Sequence, residues 1–182
     1  MNFIPSANHP DVIIITPDVF ADQRGYFMET FQKTSFSKID PALDFVQDNQ
    51  VFSKHGVLRG LHYQIRHAQG KLVRVIAGEI FDVAVDIRKK SPRFGKWVGV
   101  VLSAYLKNQL WVPPGFAHGY YVMSSSAEVI YKVTDCYDAA SERCIRWDDP
   151  QLAIKWPIQA DLTPVISAKD AKGLLLSEAE LY

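Results

Sequence analysis

The stretch from Lys71 to Ile87 constrains the fold most, because two runs rich in valine, isoleucine and phenylalanine flank Gly78-Glu79. β-Branched and aromatic residues fit a pleated surface, and a glycine followed by a polar residue suits a tight turn. The pattern predicts a β-hairpin with a two-residue turn, in which Lys71 faces Asp86, Val73 faces Ala84 and Val75 faces Asp82. Successive strand side chains point to opposite faces, so Leu72, Ile76, Phe81, Val83, Val85 and Ile87 make one fully apolar side. The other side mixes Val73, Val75 and Ala84 with Lys71, Asp82 and Asp86, which fits a lined cavity better than a wetted surface.

Further strand-like runs cover Val12 to Thr16, Val57 to Gln64, Trp97 to Leu102, Gln109 to Val112, Tyr120 to Met123 and Glu128 to Thr134. Many short strands separated by turns predict a mainly β fold, a jelly-roll β-barrel. Helical signals are confined to the ends: Thr34 to Ile39, and a C-terminal helix near Ala171 to Leu176 opened by Ser167-Ala168-Lys169-Asp170. No repeat or linker interrupts the chain, so residues 1–182 are expected to form one domain. A hydrophobic content of 48% with 12% aromatic residues supplies a packed core and argues against disorder.

The 20 basic and 20 acidic residues cancel. No overall positive field draws nucleic acid or an anionic membrane, although a local cluster can still hold a small anion. Cys136 and Cys144 fit neither a disulfide framework nor a zinc motif and read as reduced thiols. Met1 to Pro10 has no basic n-region or apolar h-region, and the apolar runs are too short to cross a bilayer. The expectation is a soluble cytoplasmic protein.

Among the five histidines, His9, His55 and His67 sit among turn-formers or polar residues and are expected to be solvated. His62 and His118 lie in strand-like sequence beside glycines and aromatics. Pro113-Pro114-Gly115-Phe116-Ala117-His118 resembles the second motif of the cupin superfamily, in which this histidine binds metal. The His-x-His of the first cupin motif is missing, since His62 is followed by Tyr63-Gln64. Too few donors remain for a resident metal, so the expectation is a cupin-type barrel with neither metal nor other cofactor. His62 and His118 are then left to move protons or donate hydrogen bonds. A partner for inversion must be a second proton carrier on the opposite face of a substrate. Tyr131 qualifies by type, though alone it reads as an ordinary packed strand tyrosine.

Several motifs in order carry a more specific resemblance: Phe20 to Phe27, Phe45 to Asn49, Arg59 to Gln64, Gly70 to Val75, Gly78 to Asp86, Pro113 to Gly119 and Ser167 to Asp170. Together they are similar to the dTDP-4-dehydrorhamnose 3,5-epimerase family from about Val12 to Asp170. The resemblance implies epimerisation at carbons 3 and 5 of dTDP-4-dehydro-6-deoxy-D-glucose, in the synthesis of L-rhamnose for surface polysaccharide. It makes His62 the base, oriented by Asp170; Lys71, supported by an aspartate such as Asp82, the stabiliser of the enolate; and Tyr131 the opposite-face proton donor. It places His118 in the sugar pocket, Tyr137 against thymine, and Arg24, Glu29, Gln47, Asp48, Asn49, Arg59, Glu142 and Lys169 around the nucleotide. It also implies a homodimer with exchanged N-terminal strands, through which Arg24 reaches the neighbouring site.

Two details need explanation. Strict alternation puts Arg59 and His62 on opposite faces, which a bulge or kink at Gly60 reconciles. Cys136 stands where the family usually carries a tyrosine, beside the retained Tyr137. The runner-up is a single-carbon epimerase or ketoisomerase of a related sugar, disfavoured by Tyr131 together with Lys71 and Asp170. A non-catalytic sugar-binding cupin has no need of the His62–Asp170 pair, and a metal-dependent dioxygenase needs the absent His-x-His.

Overall fold

The structure is a computed structural model that describes residues 1–182. Its strands are β1 (Asn2–Pro5), β2 (Ile13–Thr16), β3 (Val19–Asp22), β4 (Gly25–Met28), β5 (Gln47–Lys54), β6 (Leu58–Gln64), β7 (Lys71–Ala77), β8 (Glu79–Asp86), β9 (Trp97–Ser103), β10 (Gln109–Val112), β11 (Phe116–Val122), β12 (Ser126–Val133) and β13 (Glu142–Cys144). A short helix, α1 (Lys33–Phe36), follows β4, and a 3-10 turn (Asp170–Lys172) lies near the C-terminus. Two antiparallel sheets dominate, one ordered β1-β2-β10-β7-β12-β5 and the other β13-β6-β11-β8-β9. β3 and β4 form a separate hairpin. The fold is mainly β and cupin-like, as expected.

The predicted Lys71–Ile87 hairpin is corrected. β7 pairs with β10 and β12, whereas β8 pairs with β11 and β9 in the other sheet. Gly78, at φ +78°, turns the chain from one sheet to the other. The predicted faces nevertheless hold, because alternation fixes which way a side chain points whatever strand lies beside it. Val73, Val75 and Ala84 belong to one core cluster with Ile80, Leu110, Tyr120 and Val129 between the sheets. Val83, Val85 and Ile87 point the other way, under Leu152 and Leu176 of the C-terminal segment. Leu72 likewise turns outward, to pack with Ile15, Trp111 and Phe36 of α1.

The predicted C-terminal helix is also corrected, since only the 3-10 turn forms and Leu174 instead makes a parallel bridge to Ile145. His9 is not solvated: it is 1% exposed, and its Nε2 bonds a carboxylate oxygen of Asp86 at 2.9 Å. No helix is long and apolar enough to cross a membrane.

Candidate active site

His62 and His118 sit directly opposite each other on β6 and β11, and Cys144 on β13 continues the row beyond His62. Between His118 and Tyr120 the β6–β11 register slips, so that Gly60 and Leu61 oppose Gly119 alone. This is the bulge expected at Gly60, and both Arg59 and His62 line the cleft. Only glycine fits there. A Cβ on Gly60 would lie 2.6 Å from Gly119 Cα and 2.7 Å from the His118 carbonyl oxygen.

The cleft opens between the ends of the two sheets as adjoining hollows of about 200 and 270 Å³. His62, Lys71, Tyr131, Tyr137 and Glu142 line both. Lys71 and Tyr131 come from the β7–β12 pair of the six-stranded sheet, whereas His62 and His118 come from the five-stranded sheet. Gln47 and Asn49 on the edge strand β5 join the first hollow, and Arg59, His118 and Lys169 the second.

His62 Nε2 and Asp170 Oδ1 are 2.6 Å apart, with the carboxylate buried and the imidazole 24% exposed. Burial works against ionisation of Asp170, but the bond to His62 and the Gly60 N–H hold its pKa below the ordinary value. Nε2–H donates to the carboxylate, and in that tautomer the imidazole lone pair is on Nδ1. Burial lowers the Lys71 pKa to about 8, against the pull of Asp82 and Glu142. Burial raises that of the Tyr131 phenol, so it stays a proton donor at neutral pH.

Asp82 does not pair with Lys71. Its two oxygens lie 2.9 and 3.0 Å from His118 Nε2, and both side chains are buried. Asp82 thus acts on Lys71 only at longer range, and a second imidazole–carboxylate pair stands beside the first. At the rim, Lys169 Nζ donates to Glu142 Oε1 at 2.7 Å, and the Tyr137 hydroxyl donates to Oε2 at 2.8 Å. Lys169 precedes Asp170, so one turn sets both the rim and the carboxylate behind His62.

Three expected binding residues are not brought to this cleft within the chain. Arg24 projects on the β3–β4 hairpin, its side chain 90% exposed and paired with Asp22. Glu29 is exposed just beyond β4. Asp48 points to the outer face of its sheet and pairs with Lys132 at 2.9 Å, because it alternates with inward Gln47 and Asn49. Sequence reasoning missed Gln64, Phe116 and Tyr182 as lining residues. The parity of Gln64 with His62 and of Phe116 with His118 signals the first two, whereas nothing local signals Tyr182.

A cupin-type barrel whose cleft gathers an imidazole–carboxylate pair, a half-buried lysine and a phenol from facing sheets has the groups that acid–base chemistry needs. Residues 6–178 match the family model for dTDP-4-dehydrorhamnose 3,5-epimerase. The chain is 52% identical over 174 residues to the dTDP-4-dehydrorhamnose 3,5-epimerase of Pseudomonas aeruginosa, covering 95% of each chain. It superposes on the Legionella pneumophila dTDP-6-deoxy-D-glucose-3,5-epimerase in complex with dTDP-4-keto-L-rhamnose with a TM-score of 0.93, 49% identity and coverage of 98% and 94%. A 3'-monoepimerase from Streptomyces bikiniensis in complex with dTDP-quinovose aligns with a TM-score of 0.88 at 29% identity, covering 96% and 87%. The chain belongs to the dTDP-4-dehydrorhamnose 3,5-epimerase family and is an isomerase.

Proposed function

We propose that the protein converts dTDP-4-dehydro-6-deoxy-D-glucose to dTDP-4-dehydro-L-rhamnose by inverting carbons 3 and 5 through enolisation. The observation that carries this reading is the placement of His62 and Tyr131 on facing sheets around one cleft. The C4 ketone acidifies both flanking C–H bonds. His62 Nδ1 takes the proton from one of them, and the C–H electron pair moves into a C=C bond while the ketone oxygen becomes an enolate. Asp170 stabilises the imidazolium through Nε2–H. The Lys71 ammonium balances the enolate charge. The Tyr131 hydroxyl then protonates carbon from the other face and regains its proton from solvent, while the His62 imidazolium releases its proton to solvent and is a base again. Inversion at the second carbon repeats the sequence.

His118, backed by Asp82, serves as a hydrogen-bonding wall for the sugar. Arg59 and Lys169 offer cations to the diphosphate. Gln47, Asn49, Glu142 and Tyr137 surround the nucleoside, and the exposure of the Tyr137 ring supports a stacking role against thymine.

The same reading makes the working unit a homodimer. β5 ends its sheet without a partner on one side, and the β3–β4 hairpin carries exposed Phe20, Tyr26 and Phe27 beside Arg24. Exchange of N-terminal strands would cover these rings and bring Arg24 to the neighbouring site, whereas Asp48 stays on the outer face of its own sheet. The test of function is NMR of the purified protein's product from dTDP-4-dehydro-6-deoxy-D-glucose. Inversion at both carbons supports the proposal, and inversion at carbon 3 alone moves the protein to the mono-epimerase branch.

A further inference from the structure

Cys144 lies in the β13–β6 pair directly across from His62, and residues directly opposite on antiparallel strands share a face. Asp170 approaches the same imidazole from the C-terminal turn. One donor atom from each of His62, Cys144 and Asp170 lies within 4.8 Å of the other two.

We propose that these three side chains form an inhibitory site for a thiophilic divalent cation of the Zn²⁺ or Cd²⁺ kind. Inhibition, as distinct from binding, rests on the epimerase reading above. The donor set is one nitrogen, one sulfur and one carboxylate oxygen, which suits soft or borderline cations and not Mg²⁺ or Ca²⁺. At bond lengths of about 2.0–2.3 Å, tetrahedral ligand atoms stand roughly 3.3–3.7 Å apart, so the sulfur has to close in and the 2.6 Å His62–Asp170 contact has to open. The imidazole is 24% exposed, so a water can reach the cation and complete the coordination. A thiolate and a carboxylate cancel the cation's charge, which a partly buried site requires.

The proton balance explains the loss of activity. The cation takes the place of the proton between Nε2 and Asp170, so the imidazole proton moves to Nδ1, the atom that must be bare to act as base. The Cys144 thiol proton leaves to solvent. The cation is no resident cofactor, because the proposed reaction gives it no work. Without it, Cys144 is a packed thiol 3.5 Å from the Ile145 carbonyl oxygen.

The test is a Cd²⁺ titration of the metal-free protein, read by thiolate-to-cadmium ultraviolet absorption. Deuterium exchange into the dTDP-4-keto sugar is followed in parallel. Native protein and Cys136→Ser are expected to develop the absorption stoichiometrically and to lose exchange in step. Cys144→Ser is expected to keep its exchange, show no absorption, and need at least about tenfold more Cd²⁺ for inhibition. His62→Asn, which retains the thiol, is expected to bind Cd²⁺ more weakly by a similar factor; unchanged affinity there means a lone thiol and overturns the site. Unchanged inhibition of Cys144→Ser, or of Cys144→Ala should the serine variant not fold, overturns it too. If the sugar does not exchange even in native protein with chelator, the epimerase reading fails while the absorption still decides the cation site.

Discussion

His62 and Tyr131 stand on opposite sheets, on β6 and β12, and line the same cleft. In the proposed mechanism a planar enolate held between the sheets presents one face to each, so removal and return of the proton would occur on different faces without movement of the sugar. This division is what an epimerase needs and what a base alone, returning the proton to the face it left, does not supply.

In the proposed reaction, the bond from His62 Nε2 to Asp170 leaves Nδ1 as the basic nitrogen. In Asp170→Asn the amide presents either a donor or a neutral acceptor, and the imidazolium loses its counter-charge. The expected result is a fall in kcat of about 10²–10⁴-fold with KM little changed. Steady-state kinetics on the sugar nucleotide checks it, and a purely structural role would instead appear as a lower melting temperature with kcat intact.

Lys71 gives the pH dependence. Burial brings its pKa to about 8, so the ammonium is present below that value and is lost as pH rises through it. An enolate stabiliser must be charged, so the epimerisation rate is expected to fall on the alkaline side with an apparent pKa near 8. Lys71→Arg, charged at every accessible pH, should lack this limb even where its rate is lower. A native profile that stays level to about pH 10 would contradict the role, since an ordinary lysine titrates only there.

Asp86 governs stability rather than chemistry. Burial alone would raise its pKa, but hydrogen bonds from Arg88, Ser91 and His9 hold it well below the usual carboxylate range. A folded-state pKa below the unfolded value of 3.8 stabilises the fold above that pH, and the contribution is lost as pH falls further. Asp86→Asn is expected to cost about 2–3 kcal/mol at neutral pH, with the gap to native protein narrowing below about pH 4. Denaturant unfolding at several pH values measures both.

Gly60 tests the bulge. It sits at φ +119° against the Gly119 backbone, so Gly60→Ala must push β6 and β11 apart. A loss of about 2–4 kcal/mol is expected, with kcat/KM falling because His62 and Arg59 both shift. Retained stability and activity would mean that the register slip does not set their placement.

Much of this was legible in the sequence, and the failures share one physical cause. Side-chain alternation is local, so the inward set of Lys71, Val73, Val75, Asp82 and Ala84 follows from parity. Strand partners are not local. The same Gly78 that suits a hairpin also turns the chain between sheets, and nothing in Lys71–Asp86 distinguishes the two. β5 escaped notice because its outward Asp48 and Gln50 and its inward Gln47 and Asn49 are all polar, the latter facing the cleft rather than a core. The burial of His9 depends on Asp86, 77 residues away, and the His118–Asp82 pair likewise bridges two strands. The His62–Asp170 contact was expected only through family resemblance, since 108 residues separate the partners.

The most direct measurement follows deuterium at carbons 3 and 5 of dTDP-4-dehydro-6-deoxy-D-glucose by NMR in heavy water, for native protein, His62→Ala and Tyr131→Phe. Native protein is expected to label and invert both carbons, and His62→Ala to lose labelling by at least about 10²-fold. Tyr131→Phe is expected to label carbon while yielding little inverted product. Full labelling and inversion by His62→Ala, or full inversion by Tyr131→Phe, would contradict the division of proton removal and return between the two sheets.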